Sequence, residues 1–206
     1  MESLNLLIKE SPFSIILSLL ICVLSIISFF KKQLLLSLLL HPVSIVKEKQ
    51  YYRLFTSDLV HNDIFHLMLN EVMIFTYCVN LEQYLNETGR YGGAKFLLVY
   101  IVSCLSGSVI TTIRHRNDFG FSSTGASGSI MGCLFSYIIL RPTIIAFYLP
   151  GIGAVTNLAF GIICIGGIIF YRIRSKNILI NHEVHFYGAL GGVITTLILF
   201  PNIINI

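Results

Sequence analysis

Ser11 to Phe30 is a run of residues without a single charge, closed by Lys31 and Lys32. A bilayer is crossed by a helix of roughly 20 apolar residues, because its hydrocarbon offers no water to backbone N–H and C=O groups. The run predicts a spanning helix, and with no small-residue cleavage site it reads as retained rather than as a signal peptide. Phe96–Ile113, Ser122–Leu140 and Gly151–Tyr171 are three further charge-free runs, and another begins near Val184. Leu59–Val79 is a sixth candidate, unusually rich in polar residues. The expectation is an all-α membrane protein in which residues 1–206 form one domain. Its six helices fall roughly at 11–30, 59–79, 96–113, 122–140, 151–171 and 184–202. Between the first two, Leu34–Leu40 is too short to cross and too apolar for a free loop. It should lie in the interface or against the bundle.

Composition narrows the class. Of 206 residues, 55% are apolar and 12% charged, and mean hydropathy is +0.81. A soluble domain carries about 25% charged residues, so a soluble enzyme is excluded. The net charge of +4 is spread without a basic cluster, which argues against nucleic acid as a partner. Cys22, Cys78, Cys104, Cys133 and Cys164 sit one per apolar run with no CxxC spacing. They read as small buried hydrophobes rather than a disulfide framework or a metal site.

Strongly polar residues inside spanning helices are costly and therefore functional candidates. The second helix holds His61, Asp63, His66, Asn70 and Glu71; the fourth opens on Ser122-Ser123-Thr124-Gly125-Ala126-Ser127-Gly128; the sixth on Asn181-His182-Glu183-Val184-His185. Ser127 and His185 lie near the starts of helices running in the same direction, so they sit at similar depth. At 100° per residue His185, Gly188 and Gly192 share one face, and glycines there let a neighbouring backbone approach closely. If that neighbour is the fourth helix at Gly128, Ser127 and His185 come within hydrogen-bond reach, the parts of a nucleophile and its general base. His66 and Asn70, at i and i+4, project together from the second helix as donors suited to an oxyanion hole. Glu183 points to the far side, so the arrangement is a dyad rather than a triad.

These residues resemble the rhomboid intramembrane serine proteases over nearly the whole chain. The resemblance rests on His61-x4-His66-x3-Asn70, then Glu82, then Gly125-Ala126-Ser127-Gly128, then His185-x2-Gly188-x3-Gly192, in that order. It implies a six-helix rhomboid-like bundle with a membrane-embedded first loop, a Ser127 nucleophile and a His185 base. The oxyanion would be stabilised by the Ser127 N–H and the His66 and Asn70 side chains. His61, Arg53, Glu82, Gly125, Gly128, Gly188 and Gly192 would be structural or supporting. The family cleaves transmembrane segments of other proteins in the bilayer, without cofactor or metal. The implied setting is multi-pass in a membrane, the bacterial inner membrane for a bacterial host. Two positions depart from the family pattern. The Trp-Arg pair of the first loop reads Tyr52-Arg53, and an aromatic one turn after the nucleophile is replaced by Met131.

Other readings fare worse. His182-Glu183-Val184-His185 has one residue fewer than the HExxH of a zinc helix and no third ligand. Asp58, Asp63 and Asp118 lie at helix ends or in loops, so a buried aspartyl pair is absent. A transporter would show inverted repeats, and none is seen. The alternative that stands is a catalytically silent rhomboid-like scaffold binding membrane-protein clients. Orientation has two answers at this stage. Ten of the fourteen basic residues fall on the side of loops 31–58, 114–121 and 172–183. The positive-inside rule puts that side in the cytoplasm, whereas the resemblance opens the site away from it.

Overall fold

The computed structural model describes residues 7–151, 153–174 and 182–205. Its long helices are α1 (Pro12–Phe30), α5 (Ile64–Thr88, with one π-helical turn at Ile74–Cys78), α6 (Gly92–Arg114), α7 (Ser127–Leu140), α8 (Asn157–Arg174) and α9 (His182–Leu199). Three short helices, α2 (Lys32–Leu38), α3 (Pro42–Lys47) and α4 (Arg53–Thr56), and a 3₁₀ turn at Ser57–Leu59 fill the first connection. Pro12–Phe30, Ile64–Thr88 and Gly92–Arg114 are long and apolar enough to cross a membrane by themselves; Ser127–Leu140 and Asn157–Gly167 are apolar but shorter. The protein is an all-α membrane protein apart from one small hairpin.

Polar residues join the helices from within while apolar ones face outward. On α1, Ser14, Ser18, Ser25 and Ser28 are buried, and Ile16, Leu19, Leu20 and Val23 are exposed. This inversion suits a helix whose outer face meets lipid. Ser14, Ser18 and Ser25 meet α5 and the residues before it, while Ser28 donates to the Ser25 carbonyl of its own helix at 2.8 Å. Ser18 donates to Glu71 at 2.5 Å and Ser25 pairs with His61 Nδ1 at 2.9 Å. Glu82 caps the start of α1, accepting from the Phe13 and Ser14 N–H groups at 3.0 and 2.7 Å and from the Ser14 hydroxyl at 2.7 Å. The first N–H groups of a helix have no partner within it, so this carboxylate supplies one from α5. The apolar core runs through Ile21, Leu67, Ile74, Leu81, Leu85, Phe96, Val99 and Ile130, joining α1, α5, α6 and α7.

Several boundaries differ from the sequence expectation. The second long helix spans 64–88 rather than 59–79. Asp63 caps it by accepting from the His66 N–H at 2.8 Å, and the polar stretch beyond residue 79 continues as an amphipathic helix. The fourth begins at Ser127 instead of 122, because Gly125 at φ +101° breaks the helix and Ser123 pairs with Leu40 in an isolated bridge. The fifth begins at Asn157 instead of 151. Ile145–Leu149 and Gly153–Thr156 form an antiparallel hairpin there, turned at Gly151 and Gly153 with φ of +80° and +100°. The sixth ends at Leu199, before Pro201. All five cysteines are free, with Cys78, Cys104 and Cys133 buried.

Candidate active site

The site forms where α7 and α9 start side by side. Their approach is set by glycine: a Cβ on Gly128 would strike the Val184 side chain, one on Gly188 the Gly128 backbone, and one on Gly192 the Gly132 backbone. Small residues at such crossings bring backbones close enough for short side chains to meet. Ser127 and His185 do meet, with Oγ and Nε2 2.6 Å apart. With Nε2 unprotonated the serine hydroxyl donates and the imidazole accepts, the geometry needed for proton removal. Thr124 to Ala126 and Gly128 to Ile130 are buried on either side, and Ser127 alone in that stretch is partly open.

It opens on a cavity of about 930 Å³ lined by His66, Asn70, Met73, Ser127, Met131 and His185 among others. His66 and Asn70 reach this cavity from α5. Asn70 Nδ2 donates one hydrogen to the His66 carbonyl at 2.8 Å, which leaves its second N–H for the cavity. Gly125 has no room for a side chain: a Cβ there would lie 2.5 Å from the His66 ring and 3.3 Å from His61. The rings of His61 and His66 stand edge to face, 4.8 Å apart. His61 is fully buried and held from α1 by Ser25.

Asp63 and Ser122–Thr124 also line the cavity, whereas Arg53, Glu82 and Glu183 lie outside it. Arg53 is buried in the first loop, where Nη1 donates to the carbonyls of Leu36 and Leu39 at 2.8 and 2.9 Å and Nε to Gln50 at 2.5 Å. Glu82 caps α1 at the far end of α5. Glu183 is taken by a different pair, Arg114 at 2.9 Å and His115 Nε2 at 3.1 Å, so no carboxylate from that position orients His185.

Sequence reasoning passed over several residues that shape the site. Gly132 is the partner of Gly192, and its spacing from Gly128 signals it. Arg114 and His115, read as loop residues, tie the end of α6 to the start of α9. Asp58 and Ser129 join two positions beyond Ser127, 71 positions apart in sequence. Nothing local advertises a contact of that range.

Comparison with known proteins places this chain in a family. The Rhomboid domain model matches residues 48–202. Rhomboid protease GluP of Bacillus subtilis (strain 168) is 27% identical over 155 residues, 72% of this chain and 26% of GluP. YdcA of the same organism is 30% identical over 153 residues, 71% of this chain and 66% of YdcA. RHOMBOID-like protein 1 of Arabidopsis thaliana is 26% identical over 102 residues, 50% of this chain and 25% of that protein. The chain thus spans about a quarter of GluP and 66% of YdcA. With the matched region covering the end of the first loop, α5 and both site helices, this integral membrane protein belongs to the rhomboid family.

Proposed function

We propose that the protein is an intramembrane serine endopeptidase that hydrolyses peptide bonds in transmembrane segments of other membrane proteins. The observation that carries this reading is the 2.6 Å Ser127–His185 contact at the edge of the cavity. Ser127 Oγ attacks the scissile carbonyl while His185 Nε2 takes its proton. His185 then delivers that proton to the leaving amine, and an acyl-enzyme remains on Ser127. A water deprotonated by His185 attacks the ester and restores the serine. Negative charge on the carbonyl oxygen is met by the Ser127 N–H, the free Asn70 N–H and the His66 ring. Neither metal nor cofactor has a step in this scheme. The substrate helix enters laterally beside α8, and must unwind locally because a helical backbone shields its carbonyls.

Cleavage of a transmembrane substrate in detergent by wild type, Ser127→Ala and His185→Ala tests the reading. The expected loss in either variant, with folding retained, is about 10³-fold or more. A folded wild type that binds several substrates and cleaves none would instead make the protein a silent scaffold. Cleavage that survives Ser127→Ala would overturn the mechanism.

The Bacillus relatives support a bacterial cell membrane as the setting. The family resemblance, against the loop-charge count, has the site facing away from the cytoplasm. Cysteines introduced at His115 and at Arg90 test the orientation. Labelling from outside intact cells is expected at 115 and not at 90; the reverse would place the site on the cytoplasmic side.

A further inference from the structure

Asp58 is a buried carboxylate that the mechanism does not use. It lies in the 3₁₀ turn Ser57–Leu59 and is 6% exposed. Among the described residues no basic side chain pairs with it. Its Oδ2 accepts instead from the Ser129 hydroxyl and from the Tyr100 hydroxyl at 3.3 Å. A buried carboxylate without a cation is costly and would be cheaper as an apolar residue, so its presence calls for a task.

The geometry indicates one. Ser129 follows Ser127 by two positions at the start of α7, and side chains two apart on a helix face opposite ways. While Ser127 looks into the cavity, Ser129 is fully buried on the other side. The residue beside Asp58 grips the same segment: the Ser57 carbonyl accepts from the Gly125 N–H at 2.9 Å. One turn of the first loop thus holds both ends of Gly125–Ser129, the segment that carries the nucleophile. Hydrogen bonds to a carboxylate are shorter and stronger than those between neutral groups, which suits a mount that must keep its geometry.

Resting on the reading of Ser127 as nucleophile, we propose that Asp58 is a positioning residue, fixing Ser127 against His185 through the hydroxyl of Ser129. Tyr100 and Cys104 are the titratable groups that face Asp58 from α6, and Ser129 is its partner on α7. The rest of the turn is held from α1, where Ser25 donates to the Leu59 carbonyl at 3.3 Å. Because the device needs an acceptor at this place, an amide should replace the acid and a methyl group should not.

The test is the rate at which an alkyl fluorophosphonate labels Ser127, measured per folded molecule, together with kcat and KM on a transmembrane substrate. Displacements of an ångström cost reactions up to about 100-fold. Asp58→Ala and Ser129→Ala are therefore expected to slow labelling and kcat about tenfold or more, with KM within about twofold. Asp58→Asn should stay within about threefold of wild type. Ser129→Ala removes only a hydroxyl and keeps the test valid should Asp58→Ala fail to fold. Ser129→Ala at the wild-type rate, or Asp58→Asn as slow as Asp58→Ala, would overturn the proposal. A wild type that cleaves its substrate but is not labelled at Ser127 would overturn the reading of the nucleophile itself, and the proposal with it.

Discussion

α9 and α8 stand on either side of α7, and they are attached to it in opposite ways. α9 meets α7 backbone to backbone, through Gly188 on Gly128 and Gly192 on Gly132. The crossing is tied further by Ser136, which donates to the Gly192 carbonyl at 3.1 Å. α8 touches its neighbours through side-chain tips: Phe160 stacks on Tyr77 with ring centres 5.7 Å apart, and Gly161 faces Ile138. Farther along α8, a Cβ added at Gly166 or Gly167 would meet nothing, and Ile162 and Ile163 are exposed. The same residue type, glycine, is thus a docking surface on one helix and open space on the other. On the proposed function, a protein that holds two side chains at 2.6 Å and still admits a substrate helix needs both kinds of wall.

The sharpest way to break this contrast is to add the same side chain on each side. Gly192→Val would drive methyl groups into the Gly132 backbone, which has nowhere to retreat. Overpacking of this kind costs about 1–3 kcal/mol and occasionally more, and a backbone neighbour puts it at the upper end. Gly166→Val should leave stability within about 0.5 kcal/mol. Thermal unfolding in detergent, read beside cleavage, checks both. A Gly192→Val protein as stable and active as wild type would show that the crossing is not the rigid wall described.

The rigid side also carries a pH signature, through Asp58. Burial raises its carboxyl to about 6 from an ordinary value of 3.8, against the opposing hydrogen bonds from Ser129, Cys104 and Tyr100. A raised carboxyl binds its proton more tightly in the folded protein than in the unfolded chain. Its contribution is therefore complete below pH about 4 and is lost as pH rises through about 6. The expected effect is a fall in stability of up to about 3 kcal/mol between those values. Melting curves of wild type and Asp58→Asn should differ by this slope alone, with the amide variant flat across the window. A wild type that shows no such slope relative to Asp58→Asn would mean that the carboxyl titrates in the fold much as it does in the open chain.

How far each wall was legible in the sequence follows the range of the contacts. His185, Gly188 and Gly192 stand out because periodicity places them on one face, and Gly128, next to Ser127, is the small residue that can receive that face. The start of α7 at Ser127 was not legible from charge-free runs, since Ser122–Ala126 is as uncharged as the helix it precedes. Only the φ of Gly125 and the bridge from Ser123 to Leu40 separate the two. The hairpin at 145–156 hid in an apolar stretch for the same reason. Asp58–Ser129 was invisible, because its partners belong to elements that meet only after the first loop has folded back under α7. A loop count does not see partners either: Arg53 donates to backbone carbonyls and Arg114 pairs with Glu183, contacts that no reading of charge along the chain reveals.

The smallest predicted effect concerns the loose wall. Phe160 links α8 to α5 by stacking on Tyr77, and meets Phe147 of the hairpin edge to face at 5.4 Å. An aromatic pair is worth about 0.5–1.5 kcal/mol beyond the area it buries. Removing it should shift α8 toward separation from α5 by a comparable amount, a factor of about 2–12 in population. If α8 must move aside for a substrate helix, Phe160→Ala should raise cleavage of a transmembrane substrate several-fold. The same change should leave fluorophosphonate labelling of Ser127 unaltered, because a small reagent reaches the cavity without any helix moving. Equal rises in both would mean that α8 restrains the Ser127–His185 pair itself. A fall in both would mean that Tyr77 and Phe160 brace the site, and that the two walls are less different than their glycines suggest.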